Sequence, residues 1–257
     1  MCGRYASVSG RPELLETFAA TDPTEGPDRT VEPLEPDYNV APTKPVPAVL
    51  TRARREPDDG AGASERQLRL LRWGLVPSWA KDMSIGSRLI NARAETLADK
   101  PAFRAALGRR RCLLPAKGWY EWYGERPRRQ PYFITPSAGG LLAMAGLYEL
   151  WRDRAAGPDA PWLWTATIVT GQAVDELGHL HDRAPRLVAP EDWATWLDPQ
   201  VRDSDVVLPL LRTASPGELH AYPVSPAVGN VAAAGPALIE PLGRAPVAEV
   251  SGGDRPA

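Results

Sequence analysis

The stretch CLLPAKGWYEWYG, residues 112–124, carries the weight of the fold assignment. Its apolar and aromatic residues, closed by Gly124, read as a strand-like run rather than a helix. Three more runs of the same kind follow: PYFITPS (131–137), LLAMAGLYELW (141–151) and PWLWTATIVTG (161–171). Loops rich in Gly, Pro and charge separate them. Upstream, PVPAVLTRA (45–53) and LRLLRWGLVPSWA (68–80) continue the pattern, and GELHAYPVSPAVGNV (217–231) brings a last strand. Helices are few and short. RPELLETFAA (11–20) places Leu14, Leu15 and Phe18 on one amphipathic face, as an apolar helical period requires. A second helical stretch surrounds Lys100–Leu107, and PEDWATWLD (190–198) starts a third. Twenty-eight prolines keep every element short, because Pro breaks helix interiors. The sum is one α+β domain over residues 1–234, mostly antiparallel β with a barrel-like or sandwich core and short peripheral helices. Residues 54–67 read as a mobile insertion, and the Pro/Gly/Ala-rich segment 235–257 as a disordered tail.

At 257 residues the chain can bury a substantial core. No run approaches the length of a membrane span, and the start lacks a signal-peptide pattern. Two cysteines cannot build a disulfide framework, so a reducing, cytoplasmic setting is expected. No Cys/His cluster has metal-ligand spacing, and no cofactor is implied. Net charge is −2, which by itself does not suggest nucleic acid. Locally the balance differs. Between Arg104 and Arg129, eight basic residues against Glu121 and Glu125 give +6, with Trp119, Tyr120, Trp122 and Tyr123 interleaved. Such a mixture suits a single-stranded nucleic-acid groove, and equally a solvated charged face over core aromatics.

Four features could carry chemistry. Cys2 follows the initiator methionine, which is commonly trimmed before a small residue. Trimming would give a 1,2-aminothiol, whose amine and thiol titrate near ~8 and ~8.5. Such a pair traps aldehydes: the amine forms an imine and the sulfur closes a thiazolidine. Position alone also allows an incidental cysteine. Glu121 lies amid four aromatic residues, where desolvation would favour its protonated form and suit it to proton transfer; an outward-facing strand residue is the alternative. His181, in the loop HDRAP, can exchange protons near neutrality or serve structure alone. Asn91 could orient a carbonyl or sugar oxygen, or cap a turn. Arg93, two residues on, would share its face in a strand.

Jointly these residues fall into ordered motifs: MCGRYA, YNVAPT, RWGLVPSWA, LINARAET, RCLLPAKGWYEW, MAGLYE and HDRAPRLV. In this order and spacing, from Cys2 to about Val231, the chain resembles the SOS response-associated peptidase family, proteins that process abasic sites and crosslink to damaged single-stranded DNA. The resemblance implies that Met1 is lost and that Cys2 attacks the ring-opened aldehyde of an abasic site. It implies that Asn91 senses the sugar and steadies Cys2, that Glu121 shuttles protons, and that His181 helps open the sugar ring. It implies phosphate contacts by Arg4, Arg93 and Arg183, and packing of Trp73 and Pro42 beside unstacked nucleotides. Autocatalytic Met1 removal and a lyase side-reaction belong to the same implied repertoire. A monomer suffices, since each chain would carry a whole site.

Two positions depart from the family pattern. Ala184 stands where methionine is usual. Gly171 stands where a second Thr or similar residue is typical, which leaves Thr170 as the side-chain candidate for a backbone contact there. Two other functional classes compete: an N-terminal-nucleophile cysteine peptidase, and a non-covalent single-strand binding module.

Overall fold

Gly118 divides the stretch 112–124 in two and sends each half to a different sheet. A Cβ at Gly118 would lie 2.3 Å from the Ile134 carbonyl oxygen and 2.6 Å from the Phe133 ring. Only glycine lets the chain pass so close to its neighbour at this crossing. The single run of the sequence reading is therefore two strands, with Lys117 between them.

The computed structural model describes residues 2–23, 34–53, 64–125, 127–173 and 179–243. Its strands are β1 (Tyr5–Ser7), β2 (Asp37–Val40), β3 (Pro45–Ala53), β4 (Ser64–Trp73), β5 (Asn91–Arg93) and β6 (Arg111–Ala116). After these come β7 (Gly118–Tyr123), β8 (Gln130–Pro136), β9 (Leu142–Trp151), β10 (Leu163–Gln172), β11 (Arg183–Pro185) and β12 (Leu219–Pro223). One sheet runs β12-β8-β7-β1-β2. In the other, β10, β4, β3, β6 and β9 pair in succession and β9 returns to β10, forming a ring short of a strict barrel. β5 and β11 are added to β10 beyond that ring. Pairing is antiparallel except where β10 meets β4 and β5. The α+β, mostly antiparallel reading holds.

Period-two alternation sorts the ring residues into two layers. Val46, Ala48 and Leu50 of β3, Cys112, Leu114 and Ala116 of β6, and Ala166 and Ile168 of β10 join Cys2, Tyr5, Trp119 and Ile134 in one core between the sheets. Val49, Leu113, Leu147 and Val169 face the other way, under the helices. Helix α1 (Arg11–Thr17) has Pro12 in its first turn, where a missing N–H costs nothing. It seats Leu14 in that second core, and the following Phe18 meets the Trp193 ring at 4.5 Å between centroids.

Two boundaries move. Ser64–Gln67, read as part of an insertion, are strand residues of β4 paired with Leu50–Ala53; residues 54–63 lie outside the described residues. The tail likewise begins later than Gly235. Pro236–Ile239 form a 3-10 turn whose Leu238 is buried against Tyr120 and Phe133, and the Tyr222 hydroxyl donates to the Ile239 carbonyl at 2.9 Å. Buried apolar contact anchors the start of what its Pro/Gly/Ala-rich composition marked as a disordered tail; residues 244–257 lie outside the described residues.

Candidate functional site

Cys2 precedes β1, the strand that lies between β2 and β7. Tyr5 pairs with both Val40 and Trp119, which fixes the chain's first residues inside the layer between the sheets. Cys2 is fully buried there. Asn91 opens β5, where it pairs with Ile168 of β10. Its Nδ2 donates to the Cys2 carbonyl oxygen at 2.8 Å, a bond from a strand added to the ring to the start of the chain. That bond fixes which amide atom faces Cys2, and it leaves Asn91 Oδ1 buried with no partner among the described residues. A buried, unpaired acceptor is costly, and here it is an acceptor set beside the residue proposed to react.

Glu121 of β7 is only 3% exposed. Burial pushes its carboxyl up to about 7, while the positive charge of the chain's amino terminus opposes that rise. At neutral pH it therefore populates both protonation states, as a proton shuttle needs. Burial, and secondarily the Glu121 charge, push the Cys2 thiol well above the usual thiol range. The sulfur is a thiol at rest, not a thiolate.

His181 lies just before β11. Its Nδ1 accepts from the Arg183 amide at 3.0 Å and also stands 2.8 Å from the Asp182 carboxylate. One nitrogen cannot serve both at once: neutral, it accepts the amide and the proton sits on Nε2; charged, it turns donor to Asp182. Burial lowers the His181 pKa, so the neutral ring is the one that prevails at pH 7. Asp182 in turn acts electrostatically on Glu121. Cys2, Asn91, Glu121 and His181 thus form one coupled set.

The residues implied as DNA contacts divide into surface and framework. Arg93 is exposed on β5, opposite Thr170. Pro42 is half-buried in the turn after β2, beside Thr43, whose amide bonds the Trp73 carbonyl at 2.8 Å. Arg183 forks both oxygens of Glu95 at 3.0 Å and also donates to the Thr170 carbonyl at 2.7 Å. Arg4 is tied inward, to Asn39 Oδ1 at 2.6 Å and the Val228 carbonyl at 2.8 Å. Trp73 is fully buried. Its Nε1 donates to the Ile90 carbonyl at 2.9 Å and its ring meets Tyr5 edge-on at 5.2 Å. A ring with no exposed face cannot stack on a base here; Trp73 props the strand that presents Asn91. The basic window also disperses. Arg111 is buried, donating to the carbonyls of Leu107, Trp196 and Asp198, and Arg110 pairs with Glu149. Trp119 and Tyr120 are core residues, so the window is not one groove.

Sequence reading passed over Glu95, Asp182 and Arg186. All three lie inside motifs already quoted, within two positions of residues that were singled out; their charge was the available signal. No group of His, Cys, Asp and Glu among the described residues could hold a metal ion.

A buried thiol near the chain start, its carbonyl held by a carboxamide and its sulfur acted on by the Glu121 charge, has the make-up that a nucleophilic site requires. The chain belongs to the SOS response associated peptidase (SRAP) family, whose model matches residues 1–231. It is 37% identical over 243 residues to the abasic site processing protein YoqW of Bacillus subtilis, covering 93% of this chain and 99% of that one. It is 32% identical over 267 residues to the abasic site processing protein HMCES of Mus musculus, covering 90% and 73%. A crystal structure of a Bacteroides thetaiotaomicron protein superposes with TM-score 0.75 at 20% identity, covering 94% of this chain and all of the other. That likeness is one of fold.

Proposed function

We propose that the protein captures abasic sites in single-stranded DNA as a covalent thiazolidine on Cys2, once Met1 is removed. The observation that carries the reading is the Asn91 Nδ2 bond to the Cys2 carbonyl, beside a carboxyl held near neutrality by burial. The names of the relatives above supply the lesion class, and aminothiol chemistry supplies the adduct.

The steps balance. The neutral Cys2 amine adds to the aldehyde carbon of the ring-opened sugar, giving a carbinolamine. Protonated Glu121 gives its proton to the departing hydroxyl, which leaves as water, and an iminium remains. The Glu121 carboxylate so formed takes the thiol proton as Cys2 Sγ bonds to the iminium carbon. Aldehyde and aminothiol have become thiazolidine and one water, and Glu121 is restored. This order suits a thiol whose burial disfavours the free thiolate. His181 in its charged form would give a proton to the sugar ring oxygen as the ring opens, and the neutral imidazole so formed takes the proton of the C1 hydroxyl as that oxygen becomes the aldehyde. Single strands are the substrate because reaching a sugar within a duplex costs a few kcal/mol of unstacking. An iminium left unclosed would acidify the adjacent sugar protons and permit strand scission, so closure protects the lesion.

Met1 removal by the chain itself is the second activity of this reading. A protonated Cys2 thiol requires a base for that attack, and Glu121 in its carboxylate form is the group that supplies it. The protein is proposed to act as a monomer in the cytoplasm, at the nucleoid when damage is bound. No helix among the described residues is long and apolar enough to cross a membrane.

The test is intact mass after incubation with a single-stranded oligonucleotide carrying one abasic site, with undamaged DNA and Cys2→Ser as controls. A heat-stable adduct at the summed mass less one water, from protein lacking Met1, is expected. Binding without any adduct, from protein confirmed to lack Met1, would overturn the reading in favour of a non-covalent module.

A further inference from the structure

Gly171 pairs with Ala184 across β10 and β11. A Cβ built on Gly171 would fall 1.9 Å from Nε of Arg186 and 2.2 Å from one of its terminal nitrogens. The missing side chain at 171 and the arginine at 186 are one arrangement: the guanidinium fills the space that any larger residue would take. Arg186 is anchored by its backbone, its amide bonding the Val169 carbonyl and its carbonyl accepting from Ala145, both at 2.8 Å. Its side chain is half-buried. Among the described residues, neither a hydrogen bond nor an ion pair holds the guanidinium.

Its surroundings leave a cation in excess. Glu95 commits both carboxylate oxygens to the Arg183 fork, and Arg183 also donates to the Thr170 carbonyl. Glu95 and Arg183 both act on Arg186 electrostatically, with opposite sign. Two guanidiniums that stay charged against one carboxylate leave one net positive charge, and it falls on the arginine without a partner. Its place in the fold is close to the candidate site. Thr170, the residue before Gly171, pairs with Arg93, and Ile168 pairs with Asn91, so Gly171 is about 10 Å along β10 from the residue opposite Asn91. A guanidinium fixed there by backbone bonds, with its fork unspent, matches the planar, bidentate geometry of a phosphate diester.

We propose that Arg186, seated over Gly171, is a phosphate-binding residue of the DNA path. The inference rests on the single-strand reading above and deepens it. Arg183, already forked by Glu95, then orders the β11 edge, and Arg186 meets the phosphate.

The experiment is binding of an undamaged single-stranded oligonucleotide by fluorescence anisotropy over a salt series. For Arg186→Gln the slope of log affinity against log salt is expected to become shallower by about 0.7, one single-strand phosphate contact. Affinity would then fall roughly 2–3-fold less than wild type between 50 and 200 mM salt. Gly171→Thr, which must eject the guanidinium, is expected to weaken binding when Arg186 is present and to add nothing in an Arg186→Val background. Arg186→Lys keeps the charge and is expected to keep the slope while losing affinity. Wild-type slope in folded Arg186→Gln protein would reduce Arg186 to a space-filler and overturn the proposal. Absence of salt-dependent binding by the wild-type chain would instead sink the single-strand reading, and this contact with it.

Discussion

The Nδ2 of Asn91 donates to the carbonyl oxygen of Cys2 at 2.8 Å, joining the first strand added to the ring to the start of the polypeptide. Eighty-nine positions separate the two residues. The bond ties Cys2, the proposed nucleophile, to β5. Such positioning is a large part of how a nucleophile is made effective.

Replacing Asn91 removes that tether and orphans the Cys2 carbonyl. The lost bond is worth about 1 kcal/mol, so Asn91→Ala should slow adduct formation by at least about fivefold. Asn91→Asp should be worse, since a carboxylate would face the carbonyl oxygen. Single-turnover gel assays measure the rate and anisotropy measures binding; equal losses in both would assign Asn91 to binding instead.

Glu121 should set the pH dependence. Its carboxyl, at about 7 against an ordinary 4.5, binds more protons folded than unfolded between those values. Stability is then greatest on the acid side and declines as pH rises through the window, by on the order of 3 kcal/mol at 1.36 kcal/mol per pH unit. Glu121→Gln should flatten that decline in urea titrations, and should remove an inflection near 7 from the pH–rate profile of crosslinking. A profile unchanged by the substitution would place the proton shuttle elsewhere.

His181 predicts the opposite slope. Its folded pKa lies below the usual value of 6.5, so the unfolded chain binds more protons in the interval just beneath it. Stability from this group is present above 6.5 and is lost as pH falls through the folded pKa. An NMR titration should find the His181 midpoint below 6.5, and a midpoint above it would contradict a half-buried ring that is neutral at pH 7. His181→Gln should slow capture of ring-closed sugar more than capture of a simple aldehyde.

Gly118→Ala should be among the most damaging single-methyl changes. The new Cβ would meet the backbone oxygen of Ile134, which cannot rotate away as a side chain could. Overpacking of this kind costs about 1–3 kcal/mol, and a rigid backbone neighbour puts this case at the upper end. Thermal unfolding measures it. Displacement of β7 should also misplace Glu121, three residues on, and reduce crosslinking in protein that still folds.

Composition and local pattern established the β-rich class and the short helices, and offered four candidate site residues. Strands declared themselves through apolar and aromatic runs between Gly and Pro, a local signal that needs no tertiary partner. Its place beside Met1 marked Cys2 as a candidate, and its aromatic neighbours marked Glu121. Tertiary structure decided the rest, because burial and pairing are long-range properties. Whether Trp73 shows a face to solvent depends on Tyr5 and Ile90, neither adjacent to it in the chain. Whether Arg111 belongs to a basic groove depends on carbonyls up to 87 positions away. The ring formed by β9 returning to β10, and the meeting of Gly171 with Arg186, likewise follow from how strands close on one another. A residue's type fixes what chemistry it can do; only the packed chain fixes what it touches, and so which of its possible roles it has.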